Sequence, residues 1–136
     1  MKISCVLELF KSSGEGDTAR VISLINEGEV GDINSSNLTG ATPLMAAALH
    51  GHSETVLALL RNGANVNAVN NLQQSALHYA VAHGCLETIR VLITHGAHVN
   101  VESQEGETPL SIAVKMDRAD IIDLLEYYHR LRNKLK

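Results

Sequence analysis

The chain repeats itself with a period of 33 residues, and this repetition constrains its fold more than any other feature of the sequence. Leu44 matches Leu77 and Leu110 at this spacing. Other matches include Ala47 with Ala80 and Ala113, Gly51 with Gly84, Leu59 with Leu92 and Leu125, Gly63 with Gly96, and Asn67 with Asn100. Because glycines, small residues, apolar residues and an asparagine all stay in register, shared composition does not explain the pattern. We therefore expect a stack of similar units.

A further unit precedes these repeats at an offset of 35 residues. Gly16 matches Gly51 and Gly28 matches Gly63, whereas Asn34 returns to the 33-residue spacing against Asn67, so two residues are inserted within 29–32. We expect a single domain over residues 1–136, with units at about 5–41, 42–74, 75–107 and 108–136. The first and last units are more polar, and we expect them to act as caps that keep the stack soluble.

Each unit has the signals of two helices separated by a tight turn. Thr42 can cap a first helix that has Pro43 at its first position, and Gly51 ends it. Ser53 is placed to cap a second helix, and Gly63 suits the left-handed position after that helix. The apolar face of the second helix is formed by Val56, Leu59 and Leu60. We therefore predict an all-α solenoid of helix-turn-helix units joined by extended loops.

Composition and charge exclude several classes of function. The net charge is −4, and four of the eleven basic residues lie in the last seven positions, so the body of the chain is strongly acidic. Aromatic residues make up only 3% of the chain, and we expect no nucleic-acid partner. No apolar run approaches the roughly 20 residues that span a bilayer, so no membrane insertion is expected. Cys5 and Cys85 are too few for a disulfide framework and favour a cytoplasmic location.

The sequence offers no convincing catalytic, cofactor or metal site. Three short pairs contain candidate ligands, namely His50 with His52, His83 with Cys85, and His95 with His98. None has the four-ligand spacing of a structural zinc site. The Gly14-Glu15-Gly16 segment lacks the rest of a dinucleotide-binding motif and does not follow a strand. We therefore expect neither an enzyme nor a bound cofactor.

The repeated residues resemble the ankyrin repeat. The similarity runs from Gly40-Ala41-Thr42-Pro43-Leu44 to Gly63-Ala64-Asn65-Val66-Asn67 and recurs in register in the next units. Met45 and Ser111 stand where the family usually has histidine, so we expect its Thr–His hydrogen bonding only at Ser75 and His78. The resemblance also implies that Asn67 and Asn100 suit hydroxylation, which the family undergoes in animal cells.

The resemblance further implies a module that binds another protein through its concave face, acting as an adaptor or inhibitor and monomeric when alone. Two alternatives are a regulatory subunit of a larger complex and a pathogen effector that engages a host protein. The resemblance implies that the extended loops form β-hairpin-like fingers. In the family, contacts cluster on these finger loops and on the ends of the inner helices. Carried over position by position, the partner-binding residues are Leu49, His50, Val69, Asn71, Leu72, Gln74, Ala82, His83, Glu102, Gln104, Glu105, Glu107, Lys115 and Met116.

Overall fold

A computed structural model describes residues 3–28 and 30–134, and eight α-helices form within them. The helices are α1 (Ile3–Glu15), α2 (Thr18–Asn26), α3 (Pro43–Leu49), α4 (Ser53–Arg61), α5 (Ala76–His83), α6 (Leu86–Thr94), α7 (Pro109–Lys115) and α8 (Ala119–Lys134). Residues 1, 2, 29, 135 and 136 of the predicted domain lie outside the described residues. The predicted all-α solenoid of helix pairs is confirmed.

The helices form two layers because alternate helices contact one another along the chain. Helices α1, α3, α5 and α7 pack in that order and form the inner layer, while α2, α4 and α6 form the outer layer. Each helix pair buries leucines against the next pair, among them Leu9, Leu44 and Leu77 from the inner layer. Leu59, Leu92, Ile93 and Leu125 are buried as the repeat predicts, whereas Leu60 and Leu124 are only half-buried.

The inner helices begin with the predicted hydroxyl caps. Thr42 Oγ1 accepts from the Met45 N–H, which confirms this cap, and Pro43 opens the helix. The Ser75 N–H donates to His78 Nδ1 at 3.0 Å, and the His78 Nε2–H donates to the carbonyl of Glu107. The predicted bonding to a histidine thus occurs at Ser75 and His78, and the last unit makes the same capping box with a serine in place of the histidine. Ser111 Oγ accepts from the Thr108 N–H at 2.9 Å, because a serine at this position reaches back as histidine does.

The outer helices depart from the predicted capping. Ser53 does not cap α4, because His52 occupies the cap position and makes no side-chain cap hydrogen bond. The Ser53 hydroxyl instead lies 2.7 Å from Thr88 Oγ1 on α6. Between α2 and α4, Thr18 Oγ1 likewise lies 2.7 Å from Thr55 Oγ1. The Ser53 hydroxyl, which the sequence predicts to cap α4, thus bonds to the neighbouring unit instead.

The loops after the outer helices are joined by asparagine side chains. Asn67 Nδ2 donates to the Gly96 carbonyl at 3.1 Å, and Asn67 Oδ1 accepts from the His98 N–H at 2.8 Å. Asn34 makes the equivalent pair of bonds to the Gly63 carbonyl and the Asn65 N–H. Gly63 has φ +97°, which confirms its left-handed position after α4. Hydroxylation of Asn67 and Asn100 stays a prediction.

Three finger loops, residues 36–41, 69–74 and 102–107, precede α3, α5 and α7 and share one turn. A side-chain oxygen of Asn37, Asn70 or Ser103 accepts from a backbone N–H at the far side of each turn. Within the described chain, regular strand pairing in the fingers is limited to one antiparallel bridge between Val69 and Ser75. The turns also require a left-handed residue, which is Gly40, Gln73 or Gly106.

The C-terminal helix is attached to the outer layer by a basic side chain. Arg132 Nη2 donates to the Ile93 carbonyl at 2.9 Å, and Arg132 Nη1 donates to the Ala97 carbonyl. These carbonyls lie at the end of α6 and beyond it, where the helix dipole favours a cation. In the described part of the chain, no helix is long and apolar enough to cross a membrane.

Arg132→Ala should lower the free energy of unfolding by about 1–2 kcal/mol, because it removes charged donors from the α6 terminus. Arg130→Ala is the matched control. Arg130 is exposed on the same helix, so its removal should change stability by less than about 0.5 kcal/mol. Urea denaturation of both variants measures the difference. Equal losses would show that the Arg132 contacts contribute nothing to stability.

Asn70→Ala tests the structure of the second finger. The Asn70 amide accepts from the Leu72 and Gln74 N–H groups and donates to Gln74 Oε1 and the Tyr79 hydroxyl. Because Asn70 is buried, we expect its loss to lower the unfolding free energy by about 1–3 kcal/mol.

Asn62→Ala provides the control for this variant. Asn62 is an exposed asparagine whose side chain donates to one helix carbonyl, that of Ala58. Urea denaturation should therefore show a smaller effect for Asn62→Ala than for Asn70→Ala. A loss for Asn70→Ala no greater than that of the control would contradict the proposed role of the Asn70 amide.

Candidate partner-binding groove

The fingers stack on one another through backbone hydrogen bonds. The Asn71 N–H donates to the Thr39 carbonyl at 2.9 Å, and the Gln104 N–H donates to the Leu72 carbonyl at 2.9 Å. Asn71 Nδ2 adds a bond to the Leu38 carbonyl. The three fingers therefore form a continuous ledge beside the inner helices. We call this ledge and the exposed sides of α1, α3, α5 and α7 the groove.

A cleft of about 340 Å³ opens at the N-terminal end of the groove. It lies between α1, α3, α5 and the first finger, so inner helices and finger face a common space. Apolar side chains line it, namely Phe10, Met45, Leu49 and Tyr79. Polar groups at its edge come from Lys11, Asn37, Thr39 and His50.

Two of the positions that line the cleft hold unusually small residues. Ala46 occupies the inner-helix position that Tyr79 and Ile112 fill in the next two units. Gly14 occupies the position equivalent to Leu49, and a Cβ built on it would lie 3.7 Å from the Ala46 Cβ. A larger side chain at Ala46 would extend into the cleft, and the absence of a side chain at Gly14 lets α1 and α3 approach closely there.

Tyr79 forms a fixed wall of the cleft. Its hydroxyl donates to Gln74 Oε1 at 2.8 Å and accepts from Asn70 Nδ2 at 2.6 Å. Gln74, one of the predicted partner-binding residues, is half-buried and holds this ring with its amide oxygen. The second finger thus positions an aromatic ring of α5 in the groove.

The opposite end of the groove is acidic. Glu102 and Glu105 are exposed on the third finger, and neither forms an ion pair within the described residues. Glu107 is half-buried and accepts from Lys115 Nζ at 2.7 Å. This hydrogen bond, the charge of Glu107 and the nearby Glu105 together raise the pKa of Lys115. Lys115 is therefore already paired within the groove.

The structure brings the predicted partner-binding residues to the fingers and the ends of the inner helices. Most of them are exposed: Leu49, His50, Val69, Asn71, Leu72, Ala82, His83, Glu102, Gln104, Glu105 and Lys115. Gln74, Glu107 and Met116 are half-buried. Four of the predicted residues, Asn71, Gln74, Glu107 and Lys115, also make internal side-chain hydrogen bonds that hold the groove in shape.

Sequence reasoning missed the residues that form the cleft. Lys11 and Tyr79 line it from a helix position that the family pattern leaves variable, and Phe10 lines it from the position equivalent to Met45. A signal was present, because Ala46 is smaller than its equivalents Tyr79 and Ile112. Comparing side-chain volume position by position, including the 35-residue offset of the first unit, would have located the gap.

The described residues contain no group of three or more histidine, cysteine or acidic side chains that could hold a metal ion. Cys85 is half-buried at the start of α6 and carries a free thiol. Burial acts to raise the pKa of this thiol, but hydrogen bonds with Thr88, Ser53 and the Glu87 backbone outweigh burial and lower it.

Comparisons with known proteins agree with this architecture. The chain is similar to oxysterol-binding protein-related protein 1 from Homo sapiens, Rattus norvegicus and Mus musculus, at 38%, 40% and 39% identity over 66 residues. The matched segment is 48% of this chain and about 7% of those curated relatives.

The family model described as "Ankyrin repeats (3 copies)" matches residues 9–103 and again 69–134, which together take in nearly the whole chain. Proteins built from these repeats generally serve as modules for protein–protein interaction rather than as enzymes. On the repeat spacing, the paired helices and this match, the chain belongs to the ankyrin repeat family.

Proposed function

We propose that this protein is a non-catalytic adaptor or inhibitor that binds another protein through its concave face. The observation that carries the proposal is the groove itself, a continuous ledge of three stacked fingers beside the inner helices. Curvature in a solenoid turns such a surface into an extended binding face. The proposed contacts are the predicted residues of the fingers and inner-helix ends, together with the cleft.

Exposed apolar side chains on this face support the proposal. Leu49 is 43% exposed and Leu72 is 50% exposed, and they lie on α3 and the second finger. Burying such side chains against a partner removes apolar surface from water, which favours binding. Polar residues surround them, which matches the usual anatomy of an interface with an apolar centre and a polar rim.

We further propose that the helix pairs act as one domain, with the first and last pairs as caps. Asp120, Asp123 and Glu126 are exposed on α8, which suits a face turned to water. Cys85 carries a free thiol, and a reducing compartment is where such thiols persist. We accordingly propose a cytoplasmic location, with the nucleus or a host cell's cytosol as alternatives.

A capture experiment from the native cell tests the concave-face proposal. The double variant Leu49→Arg and Leu72→Arg should recover at least about tenfold less partner than the wild type, because a charge replaces an apolar contact. Quantitative mass spectrometry of the captured proteins measures the loss. Circular dichroism of each variant first establishes that the helices are intact.

The matched control is the double variant Ile22→Arg and Leu131→Arg. These side chains are 41% and 38% exposed, close to the values for the groove leucines, but lie on α2 and α8. The repeat itself places Arg90 at the position equivalent to Ile22, so arginine is compatible with the fold there. The proposal fails if the control loses the partner while the groove variant retains it, or if neither variant loses it.

A further inference from the structure

We propose that the groove selects an extended segment of its partner with a defined chemical pattern, an inference that rests on the proposed function. The segment places a bulky apolar side chain in the cleft and an acidic side chain beside Lys11. It places a basic side chain against the third finger, about five or six residues along the segment.

The apolar requirement follows from the lining of the cleft. Phe10, Met45, Leu49 and Tyr79 present carbon surface to a space of about 340 Å³, which falls in the range of sites that hold small organic groups. Met45 is buried and Tyr79 is held by two hydrogen bonds, so these walls are fixed before a partner arrives. A preformed apolar cleft favours a large side chain, since little ordering accompanies binding.

The acidic requirement follows from Lys11. This side chain is exposed at the edge of the cleft, and within residues 3–28 and 30–134 no carboxylate forms an ion pair with it. The nearby Thr39 hydroxyl already donates to Asn37 Oδ1 at 2.7 Å. Among the described residues Lys11 thus has no ion-pair partner, and an acidic residue next to the apolar anchor complements it.

The basic requirement follows from the third finger. This finger carries three glutamates, Glu102, Glu105 and Glu107, and Lys115 is already bonded to Glu107. Two carboxylates thus stay available to a partner at this end. Opposite charges at the two ends also fix the direction in which a segment lies, because the reversed orientation brings like charges together.

The spacing follows from the geometry of the stack. The cleft lies at the α1–α3 contact and the third finger precedes α7, so about two helix-to-helix steps separate them. Packed helices are about 8–10 Å apart, which gives a distance of roughly 16–20 Å. An extended chain advances about 3.3 Å per residue, so five or six residues cover this distance.

Selection from a library of random twelve-residue peptides displayed on phage tests the pattern directly. The wild-type protein should enrich peptides with a bulky apolar residue next to Asp or Glu, and with Lys or Arg five or six residues away. Lys11→Glu should instead enrich a basic residue beside the apolar anchor. Arg90→Glu is the control, since Arg90 is an exposed cation on the outer helix α6, and it should enrich the wild-type pattern.

Binding of individual synthetic peptides then gives the magnitude. Lys11→Glu should weaken a peptide selected on the wild type by about tenfold, and replacing the acidic residue of that peptide with Lys should restore binding to the variant. Ala46→Ile, which places the residue of the equivalent Ile112 in the cleft, should remove the preference for a bulky anchor. If this variant does not fold, the Lys11→Glu exchange still decides the outcome.

Three results would overturn the inference: no enriched peptides, enrichment without the acidic preference, or the same preference in Lys11→Glu. The proposed function is judged separately by capture of the native partner. If capture is lost with Leu49→Arg and Leu72→Arg but unchanged by Lys11→Glu and by Glu102→Lys with Glu105→Lys, the concave-face proposal stands and the peptide pattern is wrong. If none of these variants changes capture, both proposals are wrong.

Discussion

No pair of helices in this chain can bury its own apolar side chains, and the rest of the structure depends on that constraint. Leu9, Leu44 and Leu77 are buried only because each inner helix has a neighbour to cover it. Alanine at positions such as Ala47 and Ala80 allows neighbouring helices to approach closely. Apolar burial between units therefore supplies the main stabilisation, and isolated units would lack it.

Polar links between units set the register of this stack. The hydroxyl pairs of Thr18 with Thr55 and of Ser53 with Thr88 join successive outer helices. Asn67 and its equivalent Asn34 join successive loops with two bonds each. Directional bonds of this kind are satisfied in one alignment only, so they make a slipped stack costly.

The same stacking creates the surface to which we assign the function. The fingers are held in line by backbone bonds, and the inner helices supply the floor beside them. Residues that differ between units then make the two ends of this surface chemically different. The small Ala46 borders a cleft at one end, while Glu102 and Glu105 make the other end acidic. Specificity thus lies in the departures from the repeat.

The sequence predicted features that depend on one unit and missed those that depend on two. Thr42 and Gly63 are as expected, because capping and a left-handed turn are local matters. Ser53 was assigned wrongly, because its partner Thr88 lies one unit away. The cleft and the contacts of Arg132 likewise join residues from different units, and the spacing of residues within a unit carries no information about them.

Backbone amide NMR spectra test most directly whether the groove is the binding face. They are recorded while a peptide segment of the partner is titrated into the protein. We expect chemical shift changes in the three fingers and on α1, α3, α5 and α7, with the largest around Lys11, Leu49 and Leu72. Amides of the outer helices α2, α4 and α6 should change little. Changes confined to the outer helices or to α8 would show that the interface lies outside the groove.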